Sequence, residues 1–321
     1  MKQLAKRLLL GTQTIPQWVA VSLRPPQRQV SLWLHGTSVS GAPLDITQNA
    51  TVAALRPLTI AMCLQNSVSA DQLARTSPAL IVCERGTDRR VLGRIDLKYC
   101  RSLAVSQHRI DLFEAIRSHN YCLPWLRLQL HYLNEWRMQR IRREQAYNFS
   151  MPPRDLHSLF VFYMCPRPVV LVTVMHDDMG NVFPMDLIGA TDSPYFLMAL
   201  RQTSPAVQLI HRSRHMVLGD VPANYRDTAY DLGRHHKSTS IDLSSLPFET
   251  TASQAWSLPV AKASIGIKEV ELETTESVGS HELFITRVVN EEHWHDGPQL
   301  FHVPGLYQSY LARHQRALTP A

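Results

Sequence analysis

The stretch "GNVFPMDLIG" (residues 180–189) decides how this chain folds. A Gly-Asn turn opens a strand-like segment, Pro184 stands in its middle, and Met185 and Asp186 follow. Proline cannot donate to a ladder and is confined to edges or bulges. An ordinary core strand would avoid it. A strand whose backbone serves something other than its neighbour need not.

Short β-branched or apolar runs at even spacing surround this stretch. In the first half they are "WVAVSL" (18–23), "QVSLWLHG" (29–36), "LTIAMCL" (58–64), "ALIVCE" (79–84), "VLGRIDLKYC" (91–100) and "IDLFEAI" (110–116). In the second half they are "PVVLVTVM" (168–175), "YFLMALR" (195–201), "HMVLGDV" (215–221), "SIGIKEVELE" (264–273) and "ELFITRVV" (282–289). The pattern is that of a barrel or sandwich.

The two halves echo each other in order. "RPLTIAMCLQNS" (56–67) lies beside "SPYFLMALRQTS" (193–204), and "QLARTSPALIV" (72–82) beside "QLIHRSRHMVL" (208–218). "IDLK" (95–98) matches "IGIK" (265–268), "HRIDLF" (108–113) matches "HELF" (281–284), and "LPWL" (123–126) matches "VPGL" (303–306). Collinear matches of this kind predict an internal duplication of a β-barrel unit. The second half carries about thirty extra residues around 221–248, rich in His, Tyr and Asp, which read as a functional loop over the barrel mouth. Between the halves, Leu126, Leu130, Leu133 and Arg137 lie at helical spacing, predicting an amphipathic helix over 122–147. A Pro-rich boundary, "NFSMPPRD" (148–155), follows.

Composition narrows the function. The chain has 321 residues, 45% of them hydrophobic, and a net charge of +6; it is long enough for two domains with real cores. The basic residues are dispersed, apart from "EWRMQRIRRE" (135–144) at a helix end, so no nucleic-acid stripe is expected. No apolar stretch reaches the length of a membrane span. Five cysteines form no CxxC pair, and a reducing cytoplasm suits them. Phosphate-loop, dinucleotide, nucleophile-elbow and zinc-protease motifs are missing. His211 and His215 straddle a helix end with no third ligand in view, so no metal is expected.

One anion site has a physical argument. Ser204 suits the N-cap and Pro205 the first turn of a helix after the strand 195–201. Its free N–H groups, with Arg201, Thr203 and Ser204, would suit a phosphate. The matching stretch of the first half places Asp71 in the first turn, where a built-in carboxylate would compete with that phosphate.

"RPVVLVTVMHDDMGNVFPMD" (167–186), "SPYFLMAL", "TSPAVQLI", "GSHELFITRVV" and "LFHVPGLYQSYL" (300–311) together resemble the flavin reductase-like, FMN-binding split-barrel family across about 166–312. The resemblance implies a mainly β fold: tandem split β-barrels with a connecting amphipathic helix. A degenerate first domain would cover 1–147, a linker 148–165 and the flavin-binding domain 166–321. It implies FMN as cofactor, held by the backbone of Asn181, Pro184, Met185 and Asp186 and by phosphate contacts from Arg201, Thr203 and Ser204. NAD(P)H is the implied hydride donor, with His281 beside the nicotinamide or the flavin edge and His235, His236 and Lys237 as a lid. Homodimers binding flavin at the interface are usual in the family, which implies either a homodimer through the second halves or, in a duplicated chain, an intramolecular pseudo-dimer. Two departures stand out. The family's Ser after the Pro is Asp186 here, and the Asp of its "GDH" is Ser280. A carboxylate beside a flavin would disfavour reduction. The alternative is therefore a flavin carrier or scaffold subunit partnering an oxygenase, without turnover.

Overall fold

Short runs of this kind pair with their neighbours as antiparallel ladders joined by tight turns. The computed structural model describes residues 15–37, 42–64, 68–86, 89–143, 151–191 and 194–321, with only the backbone for 139–143. The stretch before 15, the helix end beyond 143 and residues 148–150 of the Pro-rich boundary lie outside the described residues.

The first half supplies strands β1 (Trp18–Leu23), β2 (Val30–His35), β3 (Leu44–Asp45), β4 (Ala50–Leu55), β5 (Leu58–Cys63), β6 (Ala79–Glu84), β7 (Val91–Val105) and β8 (His108–Asn120). The second supplies β9 (Arg167–Pro168), β10 (Val170–His176), β11 (Met179–Met185), β12 (Ile188–Ala190), β13 (Tyr195–Arg201) and β14 (His215–Asp220). It continues with β15 (Thr250–Ala252), β16 (Pro259–Ala261), β17 (Gly266–Val278), β18 (His281–His293) and β19 (Gln299–Pro304). The helices are α1 (Ala70–Arg75), α2 (Trp125–Arg143), α3 (Pro153–Phe162), α4 (Ala206–Ser213), α5 (Arg226–Leu232) and α6 (Gly305–Arg313).

The fold is mainly β, built on two curled half-barrel sheets of seven strands. Their orders are β3-β2-β6-β7-β8-β5-β4 and β11-β10-β14-β17-β18-β13-β12. Replacing each first-half strand by its second-half counterpart converts one order into the other. A helix falls in the same interval of each, α1 after β5 and α4 after β13. Ser69 caps α1 by accepting from the Gln72 N–H, and Asp71 lies in its first turn, as the sequence predicts.

Each half-barrel has its own core, and a third apolar layer joins them. Ala53, Ala54, Ala61 and Leu112 of the first sheet meet Leu197, Ala199, Leu283 and Ile285 of the second. Small side chains let the backbones approach: a Cβ on Gly189 would stand 2.7 Å from that of Thr51. The chain ends also cross over. β1 pairs along β19, and Leu306, Tyr307, Tyr310 and Leu311 of α6 enter the first-half core. Within 148–165, read as linker, α3 places Leu156, Leu159 and Phe160 in the same core.

Helix α2 forms where expected, but its packed face differs from the predicted one. Leu128, His131 and Glu135 are buried, whereas Leu126 and Leu133 are 59% and 53% exposed. The ring of Tyr132 stacks on His157 of α3 at 3.4 Å. Counting leucines picks out the wrong stripe because the inward face is polar and aromatic.

Candidate functional site

The position of β11 accounts for Pro184. It is the outermost strand of its sheet, pairing only with β10, and Leu171 stands opposite Pro184 in the register. The outward backbone groups belong to Gly180, Val182 and Pro184, so the missing proline N–H falls on the free edge, where a ladder loses nothing.

That edge is covered by the chain itself. The extra segment is not an irregular loop over the mouth, as its composition predicts. It forms a 3₁₀ turn (Ala223–Tyr225), α5, and two further 3₁₀ turns at Gly233–Lys237 and Leu243–Ser245. Its apolar residues Val221, Ala229 and Leu232 pack with Val169, Leu171 and Val182 on the outer face of the sheet. Burial of those scattered apolar residues is what gives the segment structure.

From there the segment runs along β11 in a chain of hydrogen bonds. The Ile241 N–H donates to Gly180 O at 2.8 Å, and the Gly180 N–H donates to Ser240 Oγ at 3.1 Å. His235 donates from Nδ1 to Val182 O at 2.8 Å, and His236 from Nε2 to Pro184 O at 2.7 Å. Carbonyl acceptors require each of these ring nitrogens to carry the proton. Asn181, fully buried, donates from Nδ2 to His235 O (3.1 Å) and Ser238 O (2.8 Å). Its Oδ1 is buried with no hydrogen-bond partner.

The predicted anion turn meets the same segment. Ser204 does not cap α4: Pro205 holds the cap position with no side-chain bond. The Ser204 hydroxyl instead donates to His236 O at 3.1 Å. Thr203 is exposed beside it, and burial lowers the pKa of Arg201. Burial also lowers that of His236, against the raising effect of its bond to the Pro184 carbonyl.

Three sequence-predicted residues are drawn elsewhere. Met185 belongs to the barrel core. Asp186 faces β19, accepting from His302 Nδ1 at 2.7 Å, while His302 Nε2 meets the Tyr230 hydroxyl at 3.0 Å and stacks on that ring. The phenol pKa of Tyr163 is raised well above its usual value by burial first and by Asp186 second. The carboxylate is thus engaged within the fold. His281, 1% exposed, sits at the junction of the halves. Its Nδ1 accepts from the Leu55 N–H at 3.4 Å and lies 2.9 Å from Ser280 Oγ. Burial, and then Arg201, lowers its pKa to about 4.

Sequence reasoning missed Ser238, Ser240 and His302. Nothing local marks them, since their partners lie 57, 60 and 116 residues away. Tested against FMN, the β11 edge and the Ser204 turn do not fit the group as the segment lies. The Gly180, Val182 and Pro184 carbonyls and the Ser204 hydroxyl are already engaged by residues 235–241.

Residues 162–310 match the flavin reductase like domain family. Among solved structures, the chain is similar to an FMN-binding protein from Thermus thermophilus with bound p-hydroxybenzaldehyde. Identity there is 22%, covering 46% of this chain and 80% of that one, with a TM-score of 0.38. It is similar to the NADH:FAD oxidoreductase of Streptomyces globisporus at 14% identity, covering 50% and 94%, with a TM-score of 0.43. The flavin reductase component of a bacterial two-component tryptophan halogenase is similar at 17% identity, covering 46% and 97%, with a TM-score of 0.39. No curated protein matches the chain. Residues 162–310 of this chain are a flavin reductase like domain.

Proposed function

We propose that this chain is an FMN-binding flavoprotein of the flavin reductase type, with NAD(P)H as its hydride donor. The observation that carries the reading is the convergence on His236. Its ring holds the Pro184 carbonyl of the predicted ring-binding edge, and its own carbonyl takes the Ser204 hydroxyl of the predicted phosphate turn. Two groups read separately from the sequence thus meet at one place.

Within that reading, Asn181, Pro184 and the neighbouring backbone address the ring, and Arg201, Thr203 and Ser204 the phosphate. Asp186 serves through its pairing with His302, and Met185 through the barrel core beneath. His281 is a positioning residue, holding the start of β18 beside Arg201. FMN, when bound, supplies the redox chemistry, and the chain supplies binding and orientation.

The identical strand orders support a duplication in which the two halves form an intramolecular pseudo-dimer, with domains at 1–147 and 166–321 and one flavin site. The first half has only the two-residue β3 where the second has β11. The odd number of cysteines, with no CxxC pair, supports a cytoplasmic location.

The second reading is a carrier or scaffold subunit serving an oxygenase, and the covered edge favours it. Protein loaded with FMN, desalted and given NADH or NADPH without oxygen separates the two. Retained flavin bands that bleach support the reductase. Bands that stay support the carrier, and no retained flavin with no turnover of added FMN leaves the scaffold.

A further inference from the structure

We propose that the segment from Gly233 to Ser245 is an intrinsic competitor for the β11 edge, so that flavin binds only when the segment is displaced. The inference rests on the flavin-binding reading above and concerns how that site is controlled.

The segment satisfies the groups a planar ligand would need. Gly180 O, Val182 O and Pro184 O each accept from it, and the Gly180 N–H donates to it. An edge strand with unpaired polar groups is a template for whatever can pair with it. Here the chain provides the pairing in cis.

Its construction makes it removable. Neither of its 3₁₀ turns contains a buried residue, and turns of this type have poor hydrogen-bond geometry. It is held by polar contacts, each of modest net worth because water or a ligand can replace it, and by the partly buried side chains of Ile241 and Leu243. Its flanks are fixed. Ala229 and Leu232 of α5 are buried, and β15 pairs with β16. A loosely held piece between two anchored ones can swing without unfolding the sheet.

The closed state also carries a defect. Asn181 Oδ1 is fully buried beneath the segment without a partner. An unsatisfied buried acceptor costs free energy that opening, or a ligand donor, would recover. A Cβ on Gly180 would stand 2.5 Å from Leu243 Cδ1, so the segment's close approach depends on that glycine.

The test uses the full chain with His235→Ala and Ser240→Ala combined. These remove the side-chain contacts to Val182 O and to Gly180 while leaving the Ile241 N–H on Gly180 O, His236 and the edge backbone in place. Apparent affinity scales with the fraction of open molecules, so the variant should bind FMN about tenfold more tightly than the parent, read by quenching of flavin fluorescence. Hydrogen exchange at residues 235–241 should rise in the variant. In the parent it should rise on adding FMN. Binding that is unchanged or weaker in a variant shown to be open by exchange overturns the inference and leaves the flavin reading intact. Failure of both proteins to bind FMN, with the variant open, overturns the flavin reading and this inference with it. Should the double variant not fold, Ser240→Ala alone should tighten binding severalfold, and an unchanged value would overturn the inference.

Discussion

His108 and His281 stand at equivalent points, each the first residue after the tip of a long hairpin, and each leans on the opposite half of the molecule. The His281 Nδ1 takes the Leu55 N–H at the β4–β5 turn, and the neighbouring Ser280 N–H donates to Arg56 O at 2.9 Å. The His108 ring stands edge-on to Tyr195 at 5.1 Å, whose hydroxyl donates to Ser106 Oγ at 3.0 Å. Each of these contacts thus crosses between the two halves of the chain.

Gly279 makes that contact possible. Its φ is +50°, and a Cβ there would lie 2.5 Å from Arg56 O. Gly279→Val should destabilise the protein by about 2–4 kcal/mol, through backbone strain and a clash with main chain that cannot yield. Urea denaturation measures it. A loss below about 0.5 kcal/mol would mean that the halves do not depend on this approach.

Acid should weaken the fold through its buried histidines. Burial lowers the pKa of His131, His157 and His281 to about 4 in each case. The folded state holds them neutral while the unfolded chain binds protons from about pH 6.5 downward. Stability is therefore complete above about pH 6.5 and is lost as pH falls towards about 4, by on the order of 3 kcal/mol for each residue. Denaturant midpoints at pH 7, 5.5 and 4.5 should fall in that order. The His131→Phe variant should show a shallower decline than the parent.

Asp186 and His302 form a charge-assisted pair whose worth can be isolated. Asp186→Asn and His302→Phe should each cost about 1–3 kcal/mol, and the double variant less than their sum, with a coupling of about 1–2 kcal/mol. Additive effects would show that the 2.7 Å contact contributes nothing of its own.

Glu269 is fully buried and anchors the region downstream of the segment. Its carboxylate accepts from the Ala255 and Trp256 N–H groups and from Asn290 Nδ2. Glu269→Gln would turn an amide donor towards backbone donors and should cost about 2–4 kcal/mol. Trp256, stacked on His215 at 3.8 Å, should lose its near-ultraviolet circular dichroism. Retention of that signal at full stability would contradict the anchoring role.

Much of the fold was legible in the sequence. Alternating apolar runs mark most strands of both sheets. These signals are local, carried by periods of two residues and by turn chemistry. Pro184 marked an unusual edge for the same reason, since a missing N–H is a property of one residue. Which face of α2 packs was not legible, because Tyr132 and His131 replace leucine on the inward side and their partners lie on α3. Nor was the fate of the β11 edge. Its carbonyls are taken by His235, His236 and Ile241, more than fifty residues further along, and the carboxylate of Asp186 by His302, 116 residues away. Sequence by itself determined the strands and the residues able to make a site. Only the tertiary structure decided that the chain's own segment pairs with the β11 edge, because hydrogen-bond partners brought together by folding leave no periodic trace in the sequence.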